Sequence, residues 1–325
     1  MNTAKKQSVA GTGMILLATI IWGTSFFILK NTIEALPVCF VLGIRFLIAF
    51  VVLAALNFKK LKMDKRTFLQ GLILGAVLTG AYLVQTFGLF YTTPAKNSFL
   101  TATYVIIVPF MSWMFYKKKP NRYNIIAAVM SFAGILLVSF GGGEGIQAGD
   151  LITVACGIFY ALQIIFLNRF GTEDNVNSLV IVETGTTGAV CMLISLFAEI
   201  PHQPLIISAD AWWSILYLAV ICTCLAQWLQ ATGQRYVSSE QAALILSLEA
   251  VFGTIFSAIF YHEILKPNLI VGFSIIFAAI IISETRLSFL FGKKEDNNKN
   301  ISPQEKSSPA DSPPNKVSEK GNTAE

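Results

Sequence analysis

Apolar residues fill this chain in long unbroken blocks, and polar clusters separate the blocks at intervals of a few residues. Spanning a hydrocarbon layer of about 30 Å at 1.5 Å per residue takes about 20 apolar residues. Ten windows approach that length: Met14–Ile33, Pro37–Asn57, Phe68–Leu89, Asn97–Phe115, Ile125–Phe140, Leu151–Phe170, Ser178–Ala198, Trp212–Ala231, Gln241–Tyr261 and Leu269–Ser288. Periodicity of this kind predicts an all-α polytopic membrane protein with ten transmembrane helices. Met14–Ile33 follows two lysines but has no small-x-small cleavage site after it, so it reads as a retained first span behind a cytoplasmic N-terminus, residues 1–13.

The pattern is duplicated. A shift of 145 residues lays LVQTFGLFYTTPA (83–95) on WLQATGQRYVSSE (228–240), so that Gln85 meets Gln230, Gly88 meets Gly233 and Tyr91 meets Tyr236. A shift of 144 overlays Asn124–Ser139 on Asn268–Ser283, and one of 138 brings Trp22 onto Tyr160 and Arg45 onto Glu183. Each half, 14–140 and 150–288, holds five spans. Five is odd, so the second half must cross the membrane upside down relative to the first, the inverted repeat of many secondary transporters. GGGEGIQAG (141–149) joins the halves; with no strand before it and no Lys-Ser/Thr after it, it reads as a linker and not a phosphate loop.

Charge adds orientation. The chain carries +5 net and only 13% charged residues, against roughly 25% in soluble domains. With ten spans, 16 basic residues fall on the side of the termini and three, Lys30, Lys96 and Lys266, on the other. The positive-inside rule then puts both termini in the cytoplasm of a cell membrane, and the basic residues read as topology signals, with no nucleic-acid partner. From about Gly292 the composition turns to Lys, Glu, Asn, Ser and Pro, which predicts a disordered cytoplasmic tail over 292–325. The five cysteines all fall within predicted spans as small apolar residues, and no His/Cys cluster has metal spacing, so no metal and no cofactor is expected.

Candidate chemistry lies inside the spans. Glu249 stands ten residues into the ninth, about 15 Å deep. A charge at that depth costs roughly 2.5–3.5 kcal/mol on insertion scales, so this carboxyl should face a polar cavity or carry a proton. Glu249, Gly253 and Ser257 form a small, polar stripe, and the repeat-equivalent of Glu249 is Tyr104, on a face with Asn97, Thr101 and Ser112. Thr223, Gln227 and Gln230 share one face of the eighth span; Thr79, Tyr82 and Thr86 share one of the third. Trp22 and Ser25 correspond to Tyr160 and Gln163. These uncharged groups suit a pocket for a small zwitterionic or amphipathic metabolite, and equally suit hydrogen bonding between helices. Arg45 and Glu183 lie at different depths and on opposite sides of the midplane, which argues against a direct pair and makes each a candidate for a gate or for snorkelling toward its own interface.

WGTSF (22–26), Pro37 with Arg45, QTFGLFYTTPAKNSFLTATYVIIVPF (85–110) and QRYVSSEQAALILSLEAVFGTIFSAIFYHE (234–263), in this order and duplicated, resemble the drug/metabolite transporter superfamily, EamA type. The resemblance covers about residues 12–287. It implies a ten-helix carrier with a cavity lined by helices 1, 3, 4, 6, 8 and 9, moving amino acids, other small metabolites or toxic compounds, commonly outward. Two positions depart from the family pattern. Ala250 stands where a proline usually follows the glutamate, predicting a weaker kink, and Lys118 falls opposite Glu263 where the first half often has a glutamate.

The resulting expectation is a transporter, not an enzyme, working by alternating access on a small solute, with oligomeric state open. Trp22, Ser25, Tyr82, Gln85, Tyr104, Tyr160, Gln163, Gln227, Gln230 and Glu249 form the substrate path, Glu249 is the proton-coupling candidate, and Arg45 and Glu183 are gating candidates. The alternatives are an uncoupled facilitator and a membrane-embedded enzyme on lipid-linked substrates; the latter lacks a paired acid/base or metal site at a membrane surface.

Overall fold

Asp64, Thr93, Ser208 and Ser238 each accept, through a side-chain oxygen, the backbone N–H three residues on, and each opens a helix. Such caps satisfy one of the donors that every helix start leaves free. Thr93 and Ser238 are equivalent under the 145-residue shift, and Ser238 forms a reciprocal capping box with Gln241. The structure, a computed structural model, describes residues 3–58, 63–117, 119–140, 147–202 and 205–285. Lys118, most of the Gly-rich linker and the expected tail lie outside the described residues.

The helices are α1 (Thr3–Ala35), α2 (Val38–Asn57), α3 (Lys65–Phe90), α4 (Pro94–Thr101), α5 (Tyr104–Tyr116), α6 (Arg122–Phe140), α7 (Ala148–Phe170), α8 (Val176–Ile194), α9 (Ala209–Ala219), α10 (Ala226–Gln234), α11 (Ser239–Ser247), α12 (Glu249–Phe260) and α13 (Pro267–Thr285). Among the described residues every regular element is helical. Among the described residues eight segments are long and apolar enough to cross a membrane, and α6 and α13 contribute shorter apolar stretches, Arg122–Leu137 and Pro267–Ala279. Large apolar side chains such as Val51, Leu56, Phe132, Leu193 and Ile255 lie exposed on outer faces, where lipid is the natural solvent. The chain is a multi-pass membrane protein.

The helices depart from the expected spans in detail. The first helix begins at Thr3, so the segment before Met14 is helical. The fourth and ninth spans are each two helices, α4 then α5 and α11 then α12, broken at Ala102–Thr103 and at Leu248. At these breaks Val105 N–H reaches Ala102 O (3.1 Å) and Val251 N–H reaches Leu248 O (3.0 Å), i to i−3 steps that tighten the turn. Thr103 and Leu248 are equivalent under the 145-residue shift. Hydroxyls that bond back to the preceding turn accompany both: Thr103 Oγ1 to Leu100 O and Ser247 Oγ to Leu244 O, each 2.6 Å. The ninth span therefore breaks without a proline. Finally, the eighth span is not continuous α-helix: Val220–Leu225 is a π segment between α9 and α10, and Ser195–Glu199 extends α8 likewise.

Packing joins the two sequence halves. α2 lies against α8, α6 against α13, and α4 against α12; α1 packs on α10, α11 and α12, while α3 and α5 pack on α7. Glycines allow the closest approaches. A Cβ on Gly233 would lie 2.7 Å from Gly11 O, and one on Gly149 would lie 2.7 Å from Gly88 O. Shifts of 138 and 145 carry Gly11 to Gly149 and Gly88 to Gly233, so these are equivalent contacts. Lys30, near the end of α1, donates to Leu89 O (3.1 Å) and Phe90 O (3.0 Å) at the end of α3. Gly88 therefore lies near the opposite end of α1 from Gly11, about 28 Å away at 1.5 Å per residue.

Candidate functional site

The broken helices, Arg45 of α2, the glutamines of α10 and residues of α1, α3 and α7 surround a cavity. Trp22, Ser25, Arg45, Tyr82, Gln85, Asn97, Tyr104, Tyr160, Gln163, Gln227, Gln230 and Glu249 supply its polar and aromatic lining, with Phe26, Leu29, Leu78, Leu89, Ile164 and Leu246 between them. Its volume is about 40 Å³, room for roughly three water molecules at about 10–15 Å³ each. All ten residues of the expected substrate path line this space. Asn97, noted earlier only as sharing the Tyr104 face, lines it too, and the apolar members carried no sequence signal that separates them from ordinary core.

Glu249 is the first residue of α12 and is 7% exposed. Its position at a half-helix N-terminus favours negative charge through the helix dipole. No Lys or Arg pairs with it among the described residues. The Tyr104 hydroxyl stands beside its carboxyl without a well-formed hydrogen bond. Tyr104 itself opens α5, so equivalent backbone breaks present a carboxyl and a phenol to one cavity.

Amides fix the walls. Tyr160 donates its hydroxyl to Gln85 Oε1 at 2.7 Å, Gln85 Nε2 donates to Thr101 Oγ1 at 3.1 Å, and Asn97 Nδ2 donates to Gln85 O and Thr153 Oγ1. On the equivalent side Gln230 Nε2 donates to Gln163 Oε1 at 3.2 Å, and Gln163 Nε2 to Glu183 Oε1 at 3.0 Å. Ser25 donates to Trp22 O at 2.7 Å. Trp22 Nε1 donates to Cys222 O at 2.7 Å, a carbonyl within the π segment.

Arg45 and Glu183 both depart from snorkelling: each is 1% exposed. They do not pair, as their depths implied. Arg45 lines the cavity, with Nε on Thr223 Oγ1, Nη2 3.5 Å from Cys222 O and the guanidinium carbon 5.1 Å from the Tyr82 ring centre. Glu183 stands one hydrogen bond behind the lining, on Gln163. Small residues of α8 bring it close to α2: a Cβ on Gly188 would meet Leu47 N at 2.8 Å.

The polar stripe of α12 splits. Glu249 faces the cavity, whereas a Cβ on Gly253 would meet the Ser98 side chain at 2.6 Å and Ser257 donates to Glu263. Gly253 and Ser257 thus serve contact with α4. Glu263 also accepts Ala95 N–H at 3.1 Å, adding to the Thr93 cap of α4. Thr79 is likewise turned to its own helix, donating to Gly75 O at 2.6 Å. Two further carboxylates lie on helix joints: Asp150 receives Thr92 Oγ1 at 2.9 Å and lies 3.7 Å from Lys96 Nζ, and Glu199 accepts the N–H groups of Cys39 and Phe40 at the start of α2.

Comparison with known proteins follows the same outline. The model of the EamA-like transporter family matches residues 9–140 and again 147–285. An "Uncharacterized transporter" of Archaeoglobus fulgidus is 30% identical over 87% of this chain and 88% of its own length. "Uncharacterized transporter YvbV" of Bacillus subtilis is 25% identical over 84% of this chain and 91% of its own. A solved crystal structure superposes with TM-score 0.68 at 16% identity, covering 88% of this chain and 99% of that one, a likeness of fold alone. With both halves matched and a 30% identical relative spanning nearly the whole chain, this protein belongs to the EamA-like transporter family.

Proposed function

We propose that this protein is a secondary transporter of a small metabolite, built as two inverted five-helix repeats crossing a cell membrane ten times, with both termini cytoplasmic, and that Glu249 couples transport to protons. The repeat reading is supported by the packing: exchanging the halves turns α1 on α10 into α7 on α3, and the Gly11–Gly233 contact into Gly88–Gly149. The two contacts then act as the gates. In alternating access one parts while its equivalent stays closed, and the 40 Å³ space between them must widen to admit a solute.

The single observation that carries the reading is Glu249: a buried carboxyl with no ion pair among the described residues, at a helix break, in a cavity it shares with amides, phenols and Arg45. A charge held so deep is costly unless a proton, a solute cation or water compensates it. Protonation and release as the cavity faces either side provide the coupling.

The test is flux in proteoliposomes containing purified protein, with pooled labelled amino acids and other metabolites, with and without an imposed pH gradient. Concentrative uptake of a solute class that requires the gradient, and that Glu249→Gln abolishes while exchange persists, is the expected result. Unchanged accumulation in that variant would remove Glu249 from coupling. Equilibration without accumulation would make the protein a facilitator.

A further inference from the structure

Among the described residues Arg45 is the one basic side chain in the cavity lining, and its bonding is incomplete. A guanidinium carries five N–H donors in a plane. Here Nε is taken by Thr223 Oγ1, Nη2 stands at the limit of hydrogen bonding to Cys222 O (3.5 Å), and the Tyr82 and Phe46 rings lie 5.1 and 5.6 Å from the guanidinium carbon. Nη1 has no partner, although it is buried. Among the described residues no carboxylate lies within ion-pair distance: Glu183 is engaged by Gln163, and Glu249 pairs with no cation. A cation buried among aromatic rings and helices without a counter-ion is expensive, and an unsatisfied buried donor adds to that cost.

We infer that Arg45 is the anion-recognition residue of the cavity and that the transported solute carries a carboxylate, which accepts from Nη1 and supplies the missing negative charge. The inference rests on the transporter reading for why a solute enters, and adds which chemical group it presents. The geometry favours this over a purely structural arginine. Thr223 and Cys222 use one edge of the guanidinium and hold its plane against the π segment, leaving Nη1 for a ligand. Fork-shaped donors suit carboxylates in a way a lysine ammonium does not. Glu249, in the same cavity, is free to receive a proton or the ammonium of an amino acid.

Binding can be read without flux, as thermal stabilisation of the purified full chain in detergent. The probes are amino acids, the corresponding 2-oxo acids and aromatic monocarboxylates at millimolar concentration, each beside its primary amide. At least one acid should stabilise the protein and its amide should not. Arg45→Met should weaken that acid at least tenfold, and Arg45→Lys should recover part of the loss. Amides that stabilise as well as their acids, or an absence of stabilisation by every acid, would overturn the inference; the wild-type comparison stands even if Arg45→Met does not fold. A 2-oxo acid matching its amino acid would assign Glu249 to a proton and not to ammonium. The two readings separate cleanly: acid binding with no flux rejects transport and keeps the carboxylate site, whereas flux of solutes lacking any carboxylate does the reverse.

Discussion

The break between α4 and α5 and the break between α11 and α12 are the same backbone device carrying different chemistry. Each falls at an equivalent position, Thr103 or Leu248, each tightens through i to i−3 hydrogen bonds, and each starts a new helix with a side chain in the cavity. One presents Tyr104, the other Glu249. Duplication has kept the geometry, while the two side chains have diverged from one another. The comparison therefore separates what the break does for structure from what its first residue does for function. It also makes that separation measurable, because one member of each pair serves as control for the other.

The largest effect should come from the side chains themselves. Glu249→Gln is expected to reduce pH-gradient-driven accumulation in proteoliposomes to the level of empty vesicles. Tyr104→Phe should change the rate by about tenfold at most, since its hydroxyl makes no well-formed hydrogen bond here and even a neutral one is worth only about 0.5–1.5 kcal/mol. Equal losses in the two variants would mean that both breaks, and not the carboxyl, run the cycle.

Next in size are the glycine contacts. Gly149→Val and Gly233→Val drive a branched side chain into backbone oxygens 2.7 Å from the first added carbon, an overpacking worth about 1–3 kcal/mol or more. Both should lower the melting temperature, whereas Gly13→Val, with nothing within 4 Å of the added carbon, should not. If only one contact proves sensitive, the two are not equivalent and the paired-gate reading fails.

A smaller difference is expected at the entries to α4 and α11. Thr93 and Ser238 are equivalent caps, but α4 adds Glu263, which accepts Ala95 N–H. Glu263→Ala should cost about 1–3 kcal/mol, the cost of leaving a buried hydrogen-bonding group unsatisfied, read from the melting temperature. Gln241→Ala at the α11 box should cost less, since its bond to Ser238 N–H is neutral and exposed.

Much of this was legible from residues, for identifiable reasons. Glu249 stands out because a lone carboxyl in an apolar run has little structural use, and Gln85, Gln230, Trp22 and Tyr160 stand out because a constant shift brings polar and aromatic positions into register. What periodicity cannot register is a helix that stops for one residue. Thr103 and Leu248 carry no Gly or Pro, and their i to i−3 turns leave the apolar pattern almost in phase. The π segment at Val220–Leu225 is invisible for the same reason: it displaces the ladder by one residue within a uniformly apolar stretch. Arg45 was legible as a charge for a gate or for snorkelling but not as a cavity residue, since its placement depends on Thr223 and Cys222 of the π segment. Ser257 misled in the other direction, because a polar stripe on a helix serves packing as readily as binding, and here it meets Glu263 behind the cavity.

The smallest expected effect tests the break alone. Proline inside a helix removes a backbone hydrogen bond and clashes with the preceding turn, at about 3 kcal/mol or more. Ala250 is the second residue of α12, immediately after the break. In a first helical turn the amide has no obligatory intrahelical acceptor and the fixed proline dihedral is already helical. Ala250→Pro should therefore cost about 1 kcal/mol or less in melting experiments, despite the full burial of Ala250. The same substitution at Phe256, in mid-helix, should cost the full penalty. Val105 occupies the equivalent place after the first break, but its N–H donates to Ala102 O there (3.1 Å), so Val105→Pro should cost more than Ala250→Pro. Tolerance at Ala250 with intolerance at Phe256 would mean that the chain holds this break through its own local turn, with no proline required. A full penalty at Ala250 would mean instead that α11 and α12 behave as one continuous helix, leaving Glu249 without the half-helix terminus that favours its charge.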